Sequence, residues 1–230
     1  LSLQDNISQA IAGALKVRLG DGEKGDGPAE IKNPEAYEYY LKGMHCLKSR
    51  FLFTFSDMDF EATVELFRKA VELDKDYPLA WYGLSWAYEH RRQVTHSSYD
   101  QDHSSVSMSR AYSLDPHSAL INAGYGYKQI AYDGHVDKAF ELYKQALSIN
   151  ANLAEVNFTV GATMEALGLS ELAIPYLEKS YALDPFYFWS PYKLGVACTD
   201  LGQYEQAGKY FEAYFDVNPV NMPVYPGSYT

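Results

Sequence analysis

One short pattern decides the fold, and its clearest copies read Tyr112-Ser113-Leu114-Asp115-Pro116, Ala182-Leu183-Asp184-Pro185 and Phe215-Asp216-Val217-Asn218-Pro219. A related stretch, Ser148-Ile149-Asn150-Ala151, lies between the first two. These four copies end at residues 116, 151, 185 and 219, so they recur every 34 or 35 residues. A fifth copy, Val71-Glu72-Leu73-Asp74-Lys75, precedes them by 41 residues. A fixed period of this length indicates a stack of similar units.

Each copy ends one helical pattern and precedes another. Apolar residues at i, i+3, i+4 and i+7 come before it, which predicts an amphipathic helix. Asp-Pro or a related pair then stops that helix, and a second helical pattern follows, as in Ala80-Trp81-Tyr82-Gly83-Leu84. The sequence therefore predicts an all-α solenoid of about five antiparallel helix pairs over residues 34–221.

Small and aromatic residues recur at fixed positions within these units, where they let helices approach closely and fill the adjacent gaps. They are Val160-Gly161 and Leu194-Gly195, then Ala139, Ala173 and Ala207, Phe67, Tyr143 and Phe211, and Ala70, Ala111 and Ala146. This arrangement resembles the tetratricopeptide repeat family. The resemblance implies a right-handed superhelical solenoid that binds other protein segments.

The units differ in length. Units 154–187 and 188–221 are regular, and unit 119–153 has one extra residue near Asp133. Unit 78–118 carries an insertion within Arg91–His103, which is rich in serine and which we interpret as a solvated loop. The first unit has a longer first helix or an insertion around Leu47–Ser56.

The two ends of the chain differ from the repeats. Residues 1–19 predict an extra amphipathic helix, glycine-rich residues 20–33 predict a flexible linker, and residues 222–230 form a tail. The opening also resembles bacterial proteins in which a repeat region follows a cyclase, kinase or winged-helix domain. This resemblance implies a signalling role, and we expect the chain to be part of a longer protein whose other domain is one candidate partner.

Composition excludes several function classes. The chain has 30 acidic and 19 basic residues and a net charge of −11, which argues against nucleic acids and anionic membranes as partners. No apolar run is long enough to predict a membrane span. The two cysteines have no paired spacing, so we expect a reducing, cytoplasmic location. No catalytic or cofactor motif occurs, so we predict neither enzymatic activity nor a cofactor.

The family resemblance implies a concave groove lined by the first helix of each unit. Carried onto this sequence, its main positions are Tyr82, Trp86, Glu89, His90, Tyr127, Phe158, Glu165, Trp189, Tyr192 and Lys193. Ile130, Glu155, Thr159 and Asp200 fall at equivalent positions. Some family members clamp a partner's terminal carboxylate with basic groove residues, but only Lys193 matches those in kind. We therefore expect an apolar or basic segment of a protein or peptide partner, with packing between helices as the alternative role of each aromatic residue.

Two further alternatives remain open. The histidine-bearing insertion, with His96, Asp100, Asp102 and His103 following His90, has the residue types of a metal or small-molecule sensor, although its spacing matches no fixed motif. Tyr214 stands where the repeat expects a small residue. We therefore predict that the stack ends there, with the tail partly covering Tyr214 and Phe215, or with end-to-end homodimerisation as the alternative.

Overall fold

The computed structural model describes residues 32–187 and 189–217, except the side chains of residues 50 and 53. Its helices are α1 Pro34–Cys46, a π-helical turn Leu47–Phe51, α2 Leu52–Thr54, α3 Asp57–Leu73, α4 Pro78–Thr95, α5 Ser98–Leu114, α6 Ala119–Ala131, α7 Val136–Ile149, α8 Ala154–Ala166, α9 Ser170–Leu183, α10 Trp189–Asp200 and α11 Tyr204–Val217. These described ranges contain no strand. The predicted all-α fold is confirmed. The predicted helix at 1–19, nearly all of the linker and the tail lie outside the described residues.

Helices pair as neighbours along the chain, α1 with α3, then α4 with α5, α6 with α7, α8 with α9, and α10 with α11. Short connections between consecutive helices make each pair antiparallel. Small residues let the paired helices approach, because Ala139, Ala173 and Ala207 are at most 3% exposed. A Cβ atom added to Gly161 would lie only 2.7 Å from Leu177 Cγ. The close-packing role predicted for these small positions is confirmed.

Glycine turns join the helices of the regular units. Gly168 and Gly202 have φ angles of 75° and 71°, values that a residue with a Cβ adopts at a cost. The turns between units are held by side-chain donors near the start of the following helix. The Trp81 indole donates to the carbonyl of Lys75 at 2.9 Å, and the Asn157 amide donates to the carbonyl of Ala151, also at 2.9 Å. These bonds hold the starts of the second and fourth units to the turns that precede them.

The insertion in the second unit is helical, so the prediction of a solvated loop is wrong. Helix α4 continues to Thr95, and α5 begins at Ser98 after a two-residue turn. The serines mislead because they suggest a loop, whereas Ser97 caps α5 by accepting a hydrogen bond from the Asp100 backbone N–H, and Ser98 begins that helix. Just beyond the insertion, Ser104 is 2% exposed, and Ser85 Oγ donates to its carbonyl at 3.0 Å. Serine hydroxyls thus satisfy their hydrogen bonds at a helix start and inside a helix pair.

The first two units share one type of turn. Thr54-Phe55-Ser56-Asp57-Met58-Asp59 and Thr95-His96-Ser97-Ser98-Tyr99-Asp100 are 41 residues apart. In both, the second residue is left-handed, with φ of 48° and 53°, and the serine caps the next helix. The threonine hydroxyl donates to the aspartate carboxylate, at 2.7 Å in the first copy and 3.1 Å in the second. The Thr-x-Ser-x-x-Asp pattern that both turns share is the feature of the sequence that could have predicted these extended helix pairs.

Candidate functional site

Trp86 lies at the centre of an aromatic cluster on the first helices of the second and third units. Its ring centroid is 5.6 Å from that of Tyr127 and 5.5 Å from that of His90, in both cases with planes 30° apart. The Tyr82 ring meets it at a steep angle, at 6.1 Å. Tyr82 is buried, whereas Trp86 and Tyr127 are half-buried. Part of the Trp86 and Tyr127 surface therefore remains open to solvent.

Glu89 is a buried carboxylate that organises this cluster. It is 1% exposed and accepts hydrogen bonds from Arg92 at 2.8 and 2.9 Å, from the Tyr127 hydroxyl at 2.5 Å and from the Tyr132 hydroxyl. Burial acts to raise the pKa of Glu89, but these hydrogen bonds outweigh it and the pKa lies below its usual value. Glu89 is thus ionised, its oxygens already accept hydrogen bonds from Arg92 and two tyrosines, and it fixes the position of Tyr127.

His90 is a neutral histidine enclosed beside Trp86. Its side chain is 9% exposed, and its Nδ1 atom has no hydrogen-bond partner within the described part of the chain. Burial lowers the pKa of His90 to about 4, although the Glu89 carboxylate acts in the opposite direction. The imidazole is therefore uncharged at neutral pH.

A second aromatic cluster lies on the first helices of the fourth and fifth units. The Phe158 ring meets Tyr187 edge-on at 4.9 Å, and the Trp189 ring meets Tyr192 at 5.8 Å. Tyr192 continues to Tyr214 at 5.4 Å. Trp189 and Tyr214 are only 6% and 7% exposed, so their rings are committed to packing. Phe158 and Tyr192 are half-buried and keep accessible surface.

Glu155 and Glu165, two of the remaining groove carboxylates, each contact a lysine, whereas Asp200 accepts a hydrogen bond from the Ser170 hydroxyl. Glu165 contacts Lys193 at 2.6 Å between the fourth and fifth units. Glu155 contacts Lys48 at 2.5 Å, a pairing that joins the fourth unit to the π-helical turn of the first. Lys48 was not among the sequence-predicted groove residues, because its position outside the regular repeat gives it no family counterpart. One apolar cluster accordingly contains residues of the first unit together with Trp189.

Comparisons with known proteins concern the repeats. Residues 192–221 match the family model described as tetratricopeptide repeat. This stretch is a tetratricopeptide repeat. A stretch of 104 residues is 31% identical to the peroxisomal targeting signal receptor of Candida albicans. That match covers 44% of this chain and 17% of the receptor, so the chain corresponds to about a sixth of the length of this curated relative.

Solved structures share the tetratricopeptide fold at low sequence identity. PilW, a type IV pilus biogenesis factor, matches with a TM-score of 0.57 and 21% identity, over 83% of this chain and 80% of PilW. The human IFIT1 dimer with m7Gppp-AAAA matches with a TM-score of 0.64 and 15% identity, over 80% and 43% of the two chains. PilF of Pseudomonas aeruginosa matches with a TM-score of 0.52 and 16% identity, over 80% and 76%. These likenesses show the fold of the repeats.

The imidazole groups in the histidine-bearing extension of the second repeat do not lie close together. His90 is buried beside Trp86, His96 is exposed in the turn, and the His103 ring stacks on Tyr99 at 3.9 Å. Within residues 32–187 and 189–217, no group of three or more His, Cys, Asp or Glu side chains is arranged to hold a metal ion. A search of the same residues finds no helix that is long and apolar enough to cross a membrane.

A cavity of about 410 Å³ lies between the first and second repeats, away from the groove clusters. Helices α3, α4 and α5 line it with mostly apolar side chains, among them Val71, Trp81, Leu84 and Val106. Arg68, Glu72, Asp102 and His103 supply charged and polar groups at its wall, and the Arg68 guanidinium donates to the Tyr88 hydroxyl at 2.7 Å. Sequence reasoning missed this cavity, because it depends on how α3, α4 and α5 pack together, which spacing along the chain does not indicate.

Proposed function

We propose that the chain is a protein-interaction scaffold that binds a peptide, or a segment of a neighbouring domain, along its first helices. Its role would be regulatory or in assembly. The observation that carries the proposal is a series of half-buried aromatic rings on four successive first helices. These are Trp86 on α4, Tyr127 on α6, Phe158 on α8 and Tyr192 on α10. Rings that are fixed on one side and open on the other provide apolar anchoring area at a low entropic cost.

Charge supports an apolar or basic segment as the ligand. The chain has a net charge of −11, and Glu89, Glu155 and Glu165 all lie on the first helices that carry the rings. Complementary charge accelerates encounter and selects among partners. The curated relative is named as a receptor for a targeting signal, which is compatible with recognition of a protein segment. In this proposal, residues 34–221 are the binding domain and residues 20–33 link it to the predicted helix at 1–19.

A selection from a random twelve-residue peptide display library tests the proposal, followed by fluorescence anisotropy with the selected peptides. Phe158→Ala and Tyr192→Ala should each weaken binding about tenfold, because each change removes a partly open apolar ring. Trp189 is a poor position for this test. Its ring is 6% exposed, so alanine there would open a cavity and test folding instead.

Phe186→Ala is the matched control. Phe186 is 83% exposed and lies outside the first helices, so its removal deletes a ring of the same size from another surface. This variant should bind the selected peptides with unchanged affinity. Equal affinity in all three variants, or the failure of any peptide to bind the wild type, would contradict the proposal.

A small-molecule sensor on the same fold is the second candidate, and the cavity lined by Arg68, Trp81 and His103 favours it. Its walls are mostly apolar, which suits a small apolar molecule, and Arg68, Glu72 and Asp102 supply charged groups of both signs. In a thermal-shift screen with small aromatic and aliphatic compounds, a ligand should stabilise the wild type and not Val106→Trp, which fills the cavity. A screen in which no compound stabilises the wild type would remove this candidate.

A further inference from the structure

Lys48 makes a contact that spans most of the repeat stack. It belongs to the π-helical turn Leu47–Phe51 of the first unit, and its ammonium lies 2.5 Å from Glu155 Oε1 on α8 of the fourth unit. The same ammonium is 5.8 Å from the centroid of the Tyr187 ring. The side chains of Lys48 and Glu155 are 38% and 30% exposed, so solvent reaches the contact. Isolated π-helical turns occur frequently at functional sites.

The negative charge of the carboxylate that receives this ammonium acts on three tyrosine side chains. Burial raises the pKa of Tyr40, Tyr82 and Tyr187, and the negative charge of Glu155 raises each of them further. The carboxylate is therefore close enough to act on three phenol groups, which come from three different units. Burial also acts to raise the pKa of Glu155, but the Lys48 ammonium outweighs it and the pKa is lowered.

A carboxylate bordered by aromatic rings is suited to an alkylammonium group. The carboxylate supplies a charge-assisted hydrogen bond, and the ring faces attract the cation. Two other groove carboxylates hold cations from nearby: Arg92 is three residues from Glu89, and Lys193 comes from the unit adjacent to Glu165. Glu155, in contrast, takes its cation from a residue 107 positions away. This long-range pairing needs neither sequence proximity nor adjacent units, so a lysine from another chain could form it equally well.

We propose that Glu155 and Tyr187 form a subsite for a lysine side chain of the bound peptide, and that Lys48 occupies this subsite in the free protein. The inference rests on the proposed function and names the chemistry of the partner. On binding, the ammonium of the partner replaces that of Lys48, which turns to solvent. The charge balance is unchanged, because one ammonium leaves the carboxylate as another arrives.

The internal lysine then competes with the ligand. Removing its charge should raise the affinity for a lysine-bearing peptide, because the binding-competent, unoccupied state becomes the dominant one. Lys48→Met keeps most of the alkyl chain and deletes the ammonium. We expect this variant to bind such a peptide about twofold to fivefold more tightly than the wild type, as expected for loss of a partly exposed ion pair.

A small probe tests the subsite without knowledge of the partner. n-Butylammonium chloride is titrated at constant ionic strength into the full chain, and backbone amide chemical shifts are recorded. Lys48→Met should show saturable shifts in the first turn of α8 and around Tyr187, and the wild type should show them only at much higher concentration. Lys48→Met/Glu155→Gln should show none. Lys209→Met, which removes an exposed lysine paired with Glu205 on α11, is the matched control and should behave as the wild type.

Peptides selected on the chain supply the second arm, in which each lysine is replaced by norleucine. Loss of affinity on this replacement in the wild type, and no loss in Glu155→Gln, is the expected result. The proposed subsite is wrong if butylammonium changes the amide chemical shifts of Lys48→Met and of Lys48→Met/Glu155→Gln to the same extent. It is also wrong if selected peptides bind the groove equally well without lysine. The second of these results would leave the groove itself intact, whereas failure of every peptide to bind would contradict the proposed function instead.

Discussion

The first two repeats and the last two close their helix pairs in different ways. In the second repeat, α4 and α5 have 18 and 17 residues, and a Thr-x-Ser-x-x-Asp turn joins them. In the fourth, α8 and α9 have 13 and 14 residues, and a glycine turn at Gly168 joins them. The long pairs end in a polar turn, and the short pairs end in a glycine turn.

Extra length also changes what the first repeats can reach. The added residues of the first unit include Lys48, which contacts Glu155 in the fourth. Those of the second include Arg91, whose guanidinium packs over the Phe60 ring at 3.5 Å and so joins the two extended units. The insertions therefore add contacts between units that a regular 34-residue repeat lacks.

The polar end of the second repeat gives the largest expected effect. Asp100 is 1% exposed, and it accepts from Arg91 at 2.7 Å and from Thr95 at 3.1 Å. Asp100→Ala leaves a guanidinium that is 19% exposed without its main partner. We expect the free energy of unfolding to fall by about 3 kcal/mol, the lower part of the range for broken buried pairs because water still reaches Arg91. Urea denaturation measures this fall in the free energy of unfolding.

Glu205→Ala in the last repeat is the control for that prediction. Its pair with Lys209 has side-chain exposures of 89% and 62%, so its loss should change stability by less than about 0.5 kcal/mol. Equal effects of the two variants would mean that the polar end of the extended repeat does not stabilise it.

The buried histidine makes the extended repeat sensitive to acid. The pKa of His90 is lowered to about 4, against about 6.5 for an unfolded histidine. Between these values the unfolded chain binds the additional proton, so stability falls as the pH drops. From pH 7 to pH 5 the expected loss is about 2 kcal/mol. Urea denaturation at both pH values checks this prediction. In His90→Phe, the loss of unfolding free energy from pH 7 to pH 5 should be smaller than in the wild type by about 2 kcal/mol. An identical pH dependence in both proteins would show that His90 protonates freely.

The close packing of the regular repeats gives a smaller effect. Gly161→Ala places a Cβ 2.7 Å from Leu177 Cγ and 3.1 Å from the Ala173 carbonyl oxygen. Overpacking of this kind should lower the free energy of unfolding by about 1.5 kcal/mol. Gly208 lies in α11 with nothing within 4 Å of an added Cβ, so Gly208→Ala should raise stability by up to about 1 kcal/mol. Denaturation midpoints of the two variants should move in opposite directions, and movement in the same direction would refute the packing argument.

The parts of the fold that repeat were predictable, and the parts that depart from the repeat were not. Ala139, Gly161 and Gly168 are dictated by close approach and turn geometry, so their roles follow from position alone. The serine-rich insertion was predicted wrongly, because composition does not reveal that Ser97 caps a helix rather than belonging to a loop.

Predictions at the groove divide in the same way. Periodicity assigned Trp86, Tyr127 and Phe158 to the first helices, where they lie. It could not indicate that Lys48, outside the regular pattern, reaches Glu155, because that contact depends on the distance between units rather than on spacing along the chain. Binding by these residues stays a prediction.

A chemical-shift map of the wild-type protein saturated with a selected peptide tests the central claim most directly. If the peptide binds along the first helices, the largest backbone amide shifts will fall on α4, α6, α8 and α10. Shifts confined to α3 and α5, around the cavity lined by Trp81, would contradict the groove account and favour the cavity as the binding site instead.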